Sequence, residues 1–227
     1  MISYEETKIR KYENFIREIL DSVVIKIDYE KLEEKRQTFL TKTKERFRFD
    51  NDNGWKFLVS SLDTIGDSNY AIIVYLNSKS EDKTTNSGIE YLKLYGVLSA
   101  VYIQQQSILK LLELFKVNNL NIKKNEFAVL EITFLRHCIS AHPINYDLNG
   151  EKVSFRIVRS SLYHNGKIEV CDQSNTFKTY DIFQALDIYT NVAENMMKII
   201  SEKLIENTYM CSVNKVVELK AKLNSLK

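Results

Sequence analysis

The stretch Glu126–Asp147, EFAVLEITFLRHCISAHPINYD, decides how this chain is read. Arg136, His137 and His142 crowd its centre, although the whole sequence has only three histidines, and its single proline, Pro143, follows at once. At about 100° per residue, Phe127, Leu130, Phe134, Cys138 and Ala141 share one helical face, which Leu135 and Ile139 widen. Glu126, Thr133, Arg136, His137 and Ser140 gather on the other side. The spacing therefore predicts one helix from about Lys124, buried along its apolar arc and carrying Arg136 on a narrow polar stripe. On a continued helix His142 would fall on the apolar side. A residue before proline is pushed out of helical geometry, so His142 is expected to end the helix with its ring able to swing towards the stripe.

Outward from this stretch the pattern stays helical. Ile9, Tyr12, Ile16, Ile19 and Val23 alternate spacings of three and four within a helix over Ser3–Ile27. This seam suits either a short coiled coil or a surface helix laid on a bundle. A charged helix over Tyr29–Phe47 follows, then a turn at Phe49–Gly54, and helices over Trp55–Leu62 and Asp67–Leu76 with a kink expected at Gly66. NSKSEDKTTNSG, Asn77–Gly88, reads as a loop. The segment Ile89–Phe115 is apolar on several sides, as suits a central helix. Its polar island, Gln104, Gln105 and Gln106, either satisfies neighbouring backbone groups or borders a site.

Beyond Pro143 the period changes. Val153–Val158 alternates as a strand, Ile168–Cys171 is a shorter partner, and Asn165-Gly166 between them is a strong hairpin signal. Helices over Asp181–Ile205 and Val213–Leu226 close the chain. The expected architecture is mainly α: a single helical domain over residues 1–227, with a helical extension over 1–48 and one antiparallel β-hairpin inserted at 152–172.

Composition narrows the function classes. Six glycines and one proline in 227 residues favour helix. A net charge of +2 is too small for nucleic-acid binding by bulk electrostatics, so any such contact needs locally concentrated charge. Cys138, Cys171 and Cys211 are widely separated and have no metal-ligand spacing, so neither a metal nor another cofactor is expected. Reduced thiols, a charged amino-terminal sequence and the lack of an apolar run near the roughly 20 residues that span a bilayer point to a soluble, cytoplasmic protein.

The crowded residues suit one chemistry. A histidine at a helix carboxy-terminus can change charge near neutral pH. An arginine supplies a permanent charge and fixed donors that match a phosphate. Together they can cleave a phosphodiester without a metal, the imidazole moving protons and the guanidinium steadying the transition state. RNA brings its own nucleophile, the 2′-hydroxyl. The competing reading is structural: Arg136 and His142 cap the helix, His137 is an exposed polar residue, and His164 belongs to the hairpin turn.

Arg136, the polar His137 directly after it and His142 beyond resemble the signature of the HEPN superfamily of helical domains. His142-Pro143 and YLKLYGVLSAVYIQQQ, Tyr91–Gln106, resemble a bacterial branch in which a hairpin follows the motif. The likeness runs over roughly Asp63–Ile205. It implies a ribonuclease, a toxin or antiviral-defence effector, acting on RNA at a composite cleft built from two motifs across a homodimer. It also implies an antitoxin or defence-system partner protein. Where the family often has asparagine or aspartate, this chain has His137. Other HEPN domains only bind nucleotide or RNA, or act as scaffolds, and those remain the alternatives.

Overall fold

The computed structural model describes residues 2–34, 38–78, 87–163 and 166–226. The chain is mainly helical, with two small antiparallel sheets. The first helix, α1 (Lys8–Val24), is capped by the Thr7 hydroxyl, which accepts from Arg10 N–H at 3.3 Å. Its predicted seam is buried: Ile9, Tyr12, Ile16, Ile19 and Val23 are all at most 7 % exposed. The seam lies inside the chain, where α1 packs on α4 (Gly54–Asn77) and α8 (Ile182–Tyr209), as a bundle helix does. Two short helices, α2 (Tyr29–Glu34) and α3 (Phe39–Phe47), connect α1 to α4.

The two helices expected on either side of Gly66 are one, and α4 runs through the glycine. The glycine permits a close approach instead. A Cβ there would lie 3.0 Å from Glu13 Oε2 and 3.2 Å from the Tyr4 hydroxyl. Glu13, 2 % exposed, is held by Arg10 at 3.1 Å and Arg17 at 2.9 Å. Most of the loop expected at Asn77–Gly88 lies outside the described residues.

The central helix is α5 (Ser87–Leu114), in contact with α4, α8 and the segments that carry Arg136. Gln104, with no exposed surface, donates to the Ile65 carbonyl at 3.1 Å and accepts from the Tyr189 hydroxyl at 2.7 Å. Gln105 donates to Thr133 Oγ1 at 2.8 Å. These two glutamines tie helices together, which is the structural use of a buried amide; Gln106 is exposed.

The helix predicted through the quoted stretch is broken. Its parts are α6 (Leu120–Ala128), α7 (Glu131–Leu135) and a π-helical turn, Arg136–Ala141. Leu130 takes extended geometry, and its carbonyl starts α7 by accepting from Thr133 and Phe134 N–H at 3.0 and 3.1 Å. The Thr133 hydroxyl donates across the break to the Phe127 carbonyl at 2.8 Å, an oxygen that also accepts from Leu130 N–H at 3.2 Å. The break resets the helical phase, so Thr133 is buried rather than on the polar stripe.

The β region is larger than the single hairpin expected. Val153–Val158 is divided at Ser154: β2 (Glu151–Val153) pairs with β1 (Tyr146–Leu148), and β3 (Phe155–Ile157) pairs with β4 (Lys167–Asp172). The predicted pairing thus exists as β3 on β4, and β5 (Phe177–Asp181) adds the far edge. The tight turn is Asn149-Gly150, where both residues have positive φ, 55° and 89°, the requirement of a type I′ hairpin. Between β3 and β4 the chain makes a 3₁₀ turn, Arg159–Tyr163; His164 and Asn165 lie outside the described residues. A final helix, α9 (Val213–Ser225), packs on α8.

Candidate functional site around Arg136

In the π-helical turn, His142 N–H donates to the His137 carbonyl at 2.8 Å, a bond spanning five residues rather than four. The additional residue in that turn stacks His142 over His137. In an α-turn His142 would stand over Cys138, which is buried with no exposed surface. The turn then ends, with His142 at φ −136° and ψ 49°, outside the α region that a following proline disfavours. The imidazoles of His137 and His142 face each other nearly parallel, 7° between planes and 6.2 Å between centroids.

Arg136 meets this pair through His137. A guanidinium nitrogen lies 3.2 Å from His137 Nδ1. Arginine has no acceptor, so Nδ1 accepts and His137 is the neutral tautomer with its proton on Nε2. Burial holds His137 below the ordinary histidine value, and the charges of Arg136 and His142 push it the same way. The face of the guanidinium lies on the ring of Tyr102 from α5, 3.7 Å from the centroid, a cation–π contact. Among the described residues no carboxylate pairs with Arg136, so its charge is unneutralised.

The β region holds this end of the helix. The Pro143 carbonyl accepts from Phe155 N–H of β3 at 2.6 Å. Tyr146 of β1 stands 6.4 Å from His137 and packs edge-on against Phe134 and Phe155, at 5.7 and 5.8 Å. Phe134 closes that cluster against Phe155 and Tyr180. The strands thereby hold the turn that carries the histidine pair.

Of the three residues singled out in the sequence, Arg136 and His137 touch, both half-buried, and His142 stands exposed beside His137. Arg136 and His142 are linked through His137 rather than converging directly. Tyr102 and Tyr146 complete the surroundings. Tyr146 lies inside the quoted stretch, but only the β1 turn shows which way it faces; Tyr102 has no local signal connecting it to Arg136. No protein-family profile matches this chain, and no curated protein or solved structure is significantly similar to it.

Proposed function

We propose that this protein is a metal-independent endoribonuclease of HEPN type, a toxin or antiviral-defence effector, with its composite site formed across a homodimer. The observation that carries this reading is the unneutralised Arg136 guanidinium, half-buried on Tyr102 and next to two imidazoles. An arginine serving only the fold is normally compensated by a carboxylate or capped carbonyls. Here one edge is given to a neutral histidine, and the remaining donors are available to a phosphate oxygen.

In the proposed reaction the 2′-hydroxyl of RNA attacks the adjacent phosphorus. An imidazole takes the hydroxyl proton, the P–O5′ bond breaks, and an imidazolium returns a proton to the leaving 5′-oxygen. His142, exposed at the end of the turn, is the proton carrier. His137 orients Arg136 through Nδ1 and presents Nε2–H as a donor. Arg136 stabilises the charge that accumulates on the non-bridging oxygens.

The homodimer draws support from α5. At about 100° per residue, Leu92, Tyr95, Ile103 and Tyr102 lie along one side of that helix. Leu92 is 73 %, Tyr95 40 % and Ile103 44 % exposed. An apolar stripe bordering Arg136 suits burial against a second copy, which would bring two motifs together.

A second reading, a noncatalytic RNA-binding or partner-binding HEPN protein, is favoured by the indirect link from Arg136 to His142. The deciding experiment incubates a single-stranded RNA oligonucleotide in EDTA with the wild type and with His142→Ala. Wild-type cleavage to 2′,3′-cyclic phosphate ends, lost in the variant, supports the nuclease. RNA binding without cleavage in either protein replaces it with the binding module.

A further inference from the structure

A cleft of about 700 Å³ lies among the amino-terminal segment, α4 and the first half of α8, and none of its lining belongs to the Arg136–His142 surface. This is within the range of small-molecule sites, roughly 300–1,000 Å³. Ile72, Ile73 and Leu76 of α4 and Phe183 of α8 supply apolar walls. The amino-terminal side is held in place at Ile2. Its N–H donates to Asn77 Oδ1 at 2.7 Å, and its carbonyl accepts from Asn77 Nδ2 at 2.9 Å.

The charged lining is unbalanced. Among the described residues, Glu6, Asp181, Asp187 and Glu194 share the lining with one cation, Lys8. Lys8 reaches Glu194 only at 3.8 Å with 48 % of its side chain exposed, a weak neutralisation. Asp181 is engaged as the cap of α8, accepting from Gln184 N–H at 3.0 Å. Glu6 and Asp187 have no cationic partner among the described residues. Burial raises the Glu194 carboxyl above its ordinary value, opposed by Lys8 and assisted by Asp187.

An independent observation comes from Asn69, which lines the same cleft at 3 % exposure. Its Nδ2 donates to Thr7 Oγ1 at 3.0 Å. That hydroxyl is then complete, since it also donates to the Tyr4 carbonyl at 2.9 Å and accepts from Arg10 N–H at 3.3 Å. Asn69 Oδ1 has no hydrogen-bond partner among the described residues. An amide oxygen that opens on the cleft beside surplus carboxylates, without a protein donor among the described residues, suits a donor that is positively charged.

We propose that this cleft binds a small organic ammonium ion, its charged head on Glu194, Asp187 and Asn69 Oδ1 and its hydrocarbon body against Ile72, Ile73 and Leu76. An anion meets four carboxylates and is repelled. A neutral apolar molecule leaves the acceptors unused. The ammonium satisfies both parts of the lining, and Lys8 is its resident competitor for Glu194.

Calorimetric titration of the full chain with n-hexylammonium chloride tests this, with 1-hexanol as the neutral isostere. The expected result is saturable one-to-one binding, at least about tenfold tighter than hexanol and weakened by salt. Glu194→Gln should weaken it by about tenfold or more. Lys8→Ala should tighten it, an effect that general damage to the fold does not produce. Should Glu194→Gln fail to fold, Asp187→Asn, at an exposed position, takes its place with the same expectation. Absence of saturation, equal binding of hexanol, or unchanged affinity in a folded carboxylate variant would overturn the proposal.

Discussion

The Arg136 guanidinium donates to Nδ1 of His137, its neighbour in the chain, across 3.2 Å. The pair reverses the usual compensation of a half-buried arginine. A neutral ring receives the hydrogen bond, so orientation is gained without loss of charge. The arrangement lasts only while His137 stays unprotonated, because the imidazolium would have no lone pair at Nδ1.

That condition makes the turn acid-sensitive. Burial, then Arg136, then His142 hold His137 below its ordinary value. Between about pH 6.5, where histidine in an unfolded chain titrates, and the lower folded value, the unfolded state binds more protons. Stability therefore falls as pH falls through that window and levels off beneath it. Replacing His137 by glutamine removes this contribution. Urea unfolding at pH 8 and at pH 5 should show His137→Gln gaining on the wild type in acid; a pH-independent difference between the two proteins would contradict a neutral His137.

The Gln104–Tyr189 bond yields a prediction on stability. Both side chains are fully buried, and the amide also reaches the Ile65 carbonyl. Tyr189→Phe strands Gln104 Oε1 and should cost about 1–3 kcal/mol. Gln104→Leu strands the phenol and should cost a similar amount. The double variant should cost clearly less than the sum of the singles, since neither orphan remains. Denaturant midpoints of the four proteins measure the coupling, and strict additivity would mean that the bond contributes nothing.

How much of this was legible depended on the range of the signal. The α1 seam was readable because five residues alternate spacings of three and four, and all are buried. The break at Leu130 left no local mark, as apolar residues continue through it and the contact that holds Thr133 inward, from Gln105 of α5, is tertiary. Asn149-Gly150 was present in the sequence, but strands of three residues on either side are too short to show alternation. At the candidate site, Arg136, His137 and His142 stood out by their crowding at the end of one apolar stretch and by the motif they resemble. The π-turn that stacks the histidines and the Tyr102 ring beneath Arg136 could not be read, because one additional residue in a turn has no compositional signature.

Two glycines with positive φ separate backbone strain from crowding. Gly150, φ +89°, has open space where a Cβ would be, whereas Gly166, φ +80°, would place one 2.2 Å from the Phe183 ring. Gly150→Ala should cost about 1–2 kcal/mol from left-handed geometry alone. Gly166→Ala should cost more, because α8 must move at Phe183 as well. Thermal unfolding of both variants tests the order, and equal losses would remove the crowding argument.

The exposed stripe on α5 predicts how the proposed dimer can be broken. Ile103, 44 % exposed, follows Tyr102 and so stands next to the Arg136 contact. Ile103→Glu leaves the core untouched and places a charge where the second copy would pack. Light scattering should show a dimeric wild type and a monomeric, folded variant, with RNA cleavage lost in parallel. A monomeric wild type, or a variant that still dimerises, argues against an interface on this face.

Arginine and lysine at position 136 discriminate between charge and shape. A lysine keeps the positive charge but has neither the planar fork nor the flat face that rests on Tyr102 at 3.7 Å. If Arg136 only balanced charge for the fold, Arg136→Lys would retain activity and stability. In the proposed mechanism the fork must bond His137 Nδ1 with one edge while it meets a phosphate oxygen with another. Arg136→Lys should therefore keep its fold yet lose on the order of 100-fold or more in RNA cleavage, close to Arg136→Ala. Tyr102→Leu leaves the guanidinium in place but removes the ring beneath it, and should give a smaller loss, about tenfold or less. Single-turnover cleavage in EDTA, with circular dichroism to confirm the fold, ranks the three variants. Full activity in Arg136→Lys would reduce the guanidinium to a point charge and withdraw its bidentate role.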